Sequence, residues 1–322
     1  MSQLTRRDWL ALTLGATGAL ALSPAELAAR PQGGNSVQPR LLTRAIPSSG
    51  EMLPVIGLGS SATFSQVARK EDVAALGEVL KALVAGGGTV FDTAPGYGAS
   101  EQVAGRIVSE SGLADRLFWA TKVNVARQGP ADPAAARAQI DASFQRVKKS
   151  RIDLIQVHNM GDVKTQVPIL REQKAQGRIR YIGVTTTFEP QYPQMIETMK
   201  AEPLDFIGVD YAIDNREVEN TILPLARDRR IGVFVYAPFG RTRLFRRVGD
   251  RPVPDWAGEF DAKTWAQFFL KFVLSHPAVT VATPATSQAK NMVDNLAGGV
   301  GRLPDEAMRK RMAAFVDALP AG

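Results

Sequence analysis

The chain has 322 residues and no cysteine, which excludes disulfides, iron–sulfur clusters and thiol nucleophiles together. Histidine is nearly as scarce, with His158 and His276 the only two. A histidine-based zinc site would need further ligands, and none is suitably spaced, so no metal is expected. Charge of one sign is never concentrated. The formal charge is +7, but the basic pairs Lys148-Lys149, Arg229-Arg230 and Arg246-Arg247 are scattered, as on solvated helix faces. Nucleic-acid binding is not expected, although a positive field favours anionic ligands. The apolar run Ala11–Leu22 is too short to span a bilayer as a stable anchor.

That run follows Thr5-Arg6-Arg7-Asp8-Trp9-Leu10, and paired arginines ahead of a short apolar stretch resemble a twin-arginine export signal. The expectation is a signal over residues 1–29, with small-residue cleavage points after Ala21 or near Ala28 and Ala29. It implies the twin-arginine export machinery as a partner and the periplasm as destination. Export in the folded state suits a protein that loads an organic cofactor before leaving the cytoplasm. Residues 30–39, rich in Pro, Gly and Asn, read as a linker.

The remaining residues, 40–322, with 45% apolar content across the chain, suffice for one large α/β domain. Short β-rich runs alternate with longer amphipathic stretches, the pattern of parallel βα units. Strands are expected at 55–60, 88–93, 117–122, 154–158, 180–185, 206–211, 232–237 and 279–284. Helices are expected over Asp72–Val84 and Pro133–Val147, the latter with proline at its first position. Eight repeats favour a closed (β/α)8 TIM barrel, monomeric or weakly oligomeric. A hairpin around Ser48-Ser-Gly-Glu51 would cover its floor. The long insertion 241–263 after the seventh strand falls on the face where barrels bind ligands, and is expected to shape a substrate pocket. Trp256, Phe64 and Phe239 are candidates for its apolar wall.

Three successive strand ends deliver chemistry. Phe91-Asp-Thr-Ala-Pro-Gly-Tyr-Gly98 presents Asp92 and Tyr97, Leu117-Phe-Trp-Ala-Thr-Lys122 presents Lys122, and Leu154-Ile-Gln-Val-His158 presents His158. Neighbouring strand ends are adjacent around a barrel rim, so the four can converge. A free tyrosine, with a pKa of about 10, is a poor acid near neutrality. An ammonium beside it favours the phenolate and lowers that pKa. Asp92 would hold Lys122 charged, and His158 would orient a substrate oxygen. The set is a general acid for a carbonyl accepting a hydride. Lys122 as a Schiff-base nucleophile is an alternative chemistry.

These segments resemble the aldo/keto reductase superfamily from about Leu41 to Leu319. The likeness also rests on Gly57-Leu-Gly59, Ser100-Glu101, Gly177-Arg-Ile-Arg-Tyr-Ile-Gly-Val184 and Gly232-Val-Phe-Val-Tyr-Ala-Pro-Phe-Gly240. The resemblance implies a barrel that binds a nicotinamide cofactor, NADP(H) in preference to NAD(H), and reduces a small aldehyde or ketone or oxidises the alcohol. Tyr97 would be the acid, with Asp92, Lys122 and His158 completing the tetrad. Tyr236 would stack on the nicotinamide. Pro238, Phe239, Gly240 and Arg241 would follow the pyrophosphate, with Gly59 and Ser60 nearby. Pro284, Thr286, Ser287, Lys290 and Asn295 would sit beside the adenosine end.

The chain departs from the family pattern at three places. Thr185 and Thr186 stand where the family has Ser-Asn to bind the carboxamide. Gly208 replaces the glutamine of strand six. The strand-eight loop has Thr286 and Ser287 instead of a basic residue, which removes a charge-assisted bond of about 1.5–3 kcal/mol to a 2′-phosphate. These departures motivate a second reading, a cofactor-binding regulatory barrel with little or no turnover.

Overall fold

The computed structural model describes residues 40–69, 73–126 and 129–320. The expected export signal at 1–29 and linker at 30–39 lie outside the described residues. The first elements are β1 (Thr43–Ala45) and β2 (Met52–Pro54), an antiparallel pair with Thr43 opposite Pro54 and Ala45 opposite Met52. Gly50, at φ +80°, lets the connecting turn close so that its N–H donates to Ile46 O at 2.8 Å. This is the expected hairpin.

Eight parallel strands follow in sequence order: β3 (Leu58–Gly59), β4 (Val90–Asp92), β5 (Phe118–Val123), β6 (Ile152–Val157), β7 (Ile179–Thr186), β8 (Phe206–Asp210), β9 (Gly232–Tyr236) and β10 (Val281–Ala282). The sheet curls and joins its own edges. Gly57 N–H donates to Ala282 O at 2.9 Å, Ala282 N–H to Val55 O at 2.9 Å, and Gly59 N–H to Pro284 O at 3.1 Å. The fold is a (β/α)8 barrel with the small hairpin sheet at its start.

Helices α1 (Thr63–Arg69) and α2 (Val73–Ala85) connect β3 to β4, and α3 (Ser100–Glu110) follows β4. Then come α4 (Pro133–Val147), α5 (Val163–Ala175), α6 (Tyr192–Ala201) and α7 (Ile222–Asp228), one after each of β5 to β8. Helices α8 (Arg243–Val248) and α9 (Trp265–Leu274) separate β9 from β10, and α10 (Ala289–Ala297) and α11 (Glu306–Asp317) end the chain. Helix α4 shows why the boundaries are sharp. The Asp132 side chain caps Ala134 N–H at 2.9 Å, Pro133 needs no donor partner in the first turn, and Lys148 turns left-handed at φ 55° to stop the helix.

Inward residues alternate along each strand. Val90, Phe118, Ala120, Leu154, Tyr181, Phe206, Phe234 and Val281 fill the barrel interior. Ile46 and Leu53 of the hairpin plug it from below, and Tyr236 packs on it from above. The barrel interior is therefore filled with side chains up to its C-terminal rim, the face on which barrels bind ligands.

Candidate active site

The interior alternation carries polar groups to the rim. On β5, Phe118 and Ala120 are followed inward by Lys122; on β6, Leu154 is followed by Gln156 and then His158. Asp92 pairs with Ala120 in register, so Lys122 stands one inward position higher than the end of β4. Its side chain reaches back across the strand gap. Lys122 Nζ lies 2.6 Å from Asp92 Oδ1 and 2.9 Å from Thr93 O. Both residues are almost fully buried, at 1% and 2% exposure. A dry ion pair of this kind survives only with close geometry and satisfied neighbours.

The ammonium lies between two phenols, 5.2 Å from the ring centroid of Tyr97 and 5.0 Å from that of Tyr236. Tyr97 comes from the loop after β4, where its N–H donates to Ala94 O at 3.0 Å. Its ring meets the His158 ring edge-on at 5.7 Å. Tyr236 closes β9, and its Oη donates to Asp92 Oδ2 at 3.2 Å while accepting from Gln156 Nε2 at 2.9 Å. His158 opens a single helical turn after β6, in which Asn159 is left-handed at φ 53°.

Burial pushes the Asp92 carboxyl upward, opposed by the charge of Lys122. Burial pulls the Lys122 ammonium downward, but Asp92 and then Tyr97 outweigh it and the net direction is up. Tyr97 corrects an expectation. Lys122 does favour its phenolate, yet desolvation of the phenol is the larger effect and its pKa rises above 10.0. Tyr236 is raised well above its ordinary value by burial and then by Asp92.

A cavity of about 440 Å³ opens on this group. Asp92, Tyr97, Lys122 and His158 all line it, as do Gly59, Thr185, Tyr236, Pro238, Phe239, Arg241 and Pro284. The other candidates lie elsewhere. Ser60 is fully buried beneath the rim, and Ser61 and Ala62 take its place on the wall. The Thr186 hydroxyl turns away to Gln191 Oε1 at 2.5 Å, closing the next turn with Phe188 N–H. Gly240 is buried in the turn that follows β9. Thr286 accepts from Gln288 N–H at 3.1 Å, Ser287 and Lys290 are outside the cavity wall, and Asn295 is buried on α10.

The pocket-shaping role expected of 241–263 is confined to its first residues, Arg241 and Thr242. Beyond them, Leu244, Val248, Ala257 and Phe260 are core residues. Trp256 packs on Phe268 and Phe315 with Arg311 over its face, so it is scaffold and not pocket wall. Phe64 is likewise core, against Phe91 at 5.5 Å. Phe239 does line the cavity, backed by Phe245 at 4.9 Å. Asn159, Thr187 and Phe188 line it without having been anticipated. Asn159 follows a strand-end histidine and so had a positional signal, whereas Thr187 and Phe188 depend on the turn that Thr186 caps. Left-handed residues gather at these two rims, Asn159, Met160 and Asp162 after β6 and Ala237, Arg241 and Thr242 after β9.

A solid parallel barrel with convergent titratable groups at the C-terminal ends of its strands has the construction of a barrel enzyme. The sequence matches the Aldo/keto reductase family over residues 55–314, and the chain belongs to that family of oxidoreductases. Aldo-keto reductase YhdN of Bacillus subtilis (strain 168) is 29% identical over 211 residues, 62% of this chain and 62% of that protein. Probable aldo-keto reductase 1 of Glycine max is 26% identical over 285 residues, covering 76% and 79%. Among solved structures, an aldo-keto reductase from Klebsiella pneumoniae in complex with NADPH shares the fold, with TM-score 0.70, 23% identity, and coverage of 86% and 95%.

Proposed function

We propose that this chain reduces an aldehyde or ketone with a nicotinamide cofactor, and oxidises the alcohol in reverse, with Tyr97 as general acid. The supporting observation is the fully buried Lys122 ammonium, paired to Asp92 at 2.6 Å and placed beside the Tyr97 ring. Burial keeps the Tyr97 phenol protonated before reaction. As it donates, the developing phenolate gains the ammonium as a counter-charge, an interaction stronger in the transition state than in the ground state. Asp92 keeps that ammonium charged. His158, edge-on to Tyr97, holds the carbonyl oxygen against the phenol.

The cavity residues fit a nicotinamide: an aromatic floor at Tyr236, the Thr185 hydroxyl and the Asn159 amide at its side, and Arg241 toward a phosphate. When bound, the cofactor supplies the hydride. NADP(H) is proposed ahead of NAD(H), in line with the NADPH and the NADP of two Klebsiella pneumoniae neighbours. Gly59, Pro238, Phe239 and Pro284 would flank it, and Ser60, Thr186, Gly240, Thr286, Ser287, Lys290 and Asn295 would support the loops along it.

Tyr97→Phe is the test. General-acid catalysis contributes about 10²–10⁴-fold, so carbonyl reduction should fall by that factor while fluorescence titration with NADPH stays unchanged. A variant that retains most of its turnover rules out this acid. The second reading, a binding barrel with little turnover, draws on Thr186 turning away from the cavity and on the missing side chain at Gly208. It predicts cofactor quenching by the wild-type protein with no reduction of any carbonyl in a broad panel.

We also propose periplasmic delivery by the twin-arginine machinery, as a monomer or weak oligomer. Unchanged delivery after Arg6-Arg7 is replaced by Lys-Lys would refute the route.

A further inference from the structure

The ammonium of Lys122 lies 5.2 Å and 5.0 Å from the ring centroids of Tyr97 and Tyr236, yet a general acid must be one of them. The hydrogen bonds around Asp92 distinguish the two. Lys122 Nζ donates to Oδ1, and Tyr236 Oη donates to Oδ2 while Gln156 Nε2 donates to Tyr236 Oη. Tyr236 is therefore tied as a donor to a carboxylate, and giving up its proton would leave two anionic oxygens in contact. Tyr97 has no such tie to Asp92 and faces the cavity beside His158.

We propose that Tyr236 is a positioning residue whose hydroxyl holds the second oxygen of Asp92, confining the stabilising charge of Lys122 to Tyr97, and that the bare backbone of Gly208 is what admits its ring. The proposal rests on the tetrad reading above. A Cβ on Gly208 would fall 2.8 Å from both Cζ and Oη of Tyr236, closer than real Cβ atoms approach, so alanine there must displace the ring. Among the described residues, the charged and titratable groups facing Asp92 are Lys122 from β5, Tyr236 from β9 and Tyr97 from the loop after β4; His158 and Arg241 act on Tyr97 from beyond. Gln156, opposite Lys122 in register, is uncharged and fixes the direction of the Tyr236 hydroxyl.

The loss of a donor raises the pKa of a carboxylate. In Tyr236→Phe the acid limb of kcat/KM should therefore move upward, and a charge-assisted bond corresponds to about one to two pH units.

The direct test needs neither cofactor nor turnover. The chain has five tyrosines, so protein labelled with ¹³Cζ-tyrosine gives a spectrum assignable by single Tyr→Phe variants. At neutral pH the Tyr236 resonance should lie downfield, and should move upfield in Asp92→Asn and in Gly208→Ala alike. An identical Tyr236 frequency in wild type and Asp92→Asn overturns the proposal, as does an unmoved acid limb in Tyr236→Phe. Should Gly208→Ala fail to fold, those two comparisons still decide. Retained turnover in Tyr97→Phe would remove the acid assignment while leaving the resonance result standing, so the two failures are separable.

Discussion

Replacing Lys122 by methionine keeps most of the side-chain length and removes the charge, leaving the Asp92 carboxyl without its counter-charge in a site that is 2% exposed. Removing one partner of a buried ion pair costs about 3–5 kcal/mol, because the other charge loses its compensation. At roughly 2–4 °C per kcal/mol for a large single domain, that corresponds to a fall in Tm of about 6–20 °C. The loss must depend on pH. The carboxyl of Asp92 already lies above its ordinary value of 3.8 through burial, and without Lys122 it rises further. A carboxyl raised in the folded state binds its proton more tightly there than in the unfolded chain. Its destabilising effect is therefore absent below 3.8 and grows as pH rises toward the folded-state value. Urea unfolding of wild type and Lys122→Met, followed by circular dichroism from pH 5 to 8, should show a widening gap. Asp92→Asn in the Lys122→Met background should recover stability by removing the stranded charge. A Lys122→Met protein within about 1 kcal/mol of wild type at pH 7, with no pH dependence, would mean that the pair is hydrated and that the burial argument is wrong.

His158→Ala should raise KM for the carbonyl substrate more than it changes cofactor affinity, as initial rates and fluorescence titration will show, because the imidazole stands edge-on to Tyr97 and not in the Asp92–Lys122 pair. His276 is held to about pKa 4 by burial, with Arg309 adding to the effect, against an ordinary 6.5. Its neutral form is favoured by the fold, so the stability it contributes is complete above 6.5 and is lost as pH falls toward 4. His276→Gln should flatten that part of the pH–stability curve, and thermal melts from pH 7 to 4 that run parallel in the two proteins would contradict it.

The barrel was legible because its two periodicities are physical. Strands buried on both faces read as continuous apolar runs, the helices between them show an apolar stripe, and Pro133 stands at the first position of α4. The four rim residues were legible for the same reason. Residues at the ends of adjacent parallel strands must be neighbours, whatever packs around them, and the sequence alone places Asp92, Tyr97, Lys122 and His158 there. What it does not contain is the direction of side chains in the loops. Thr185 and Thr186 are consecutive, yet only Thr185 faces the cavity, because Thr186 is spent on capping the turn to Phe188 and Gln191. Trp256 is an apolar residue in a ligand-face insertion, but Phe268, Phe315 and Arg311 arrive from distant sequence to claim it. The sign of the Tyr97 shift was also beyond sequence, since it depends on how far desolvation outweighs a charge 5.2 Å from the ring. Adjacent strand ends follow from chain connectivity. Burial and the second partner of each group arise only when remote segments close around them, as Tyr236 and Gly208 do above the barrel core.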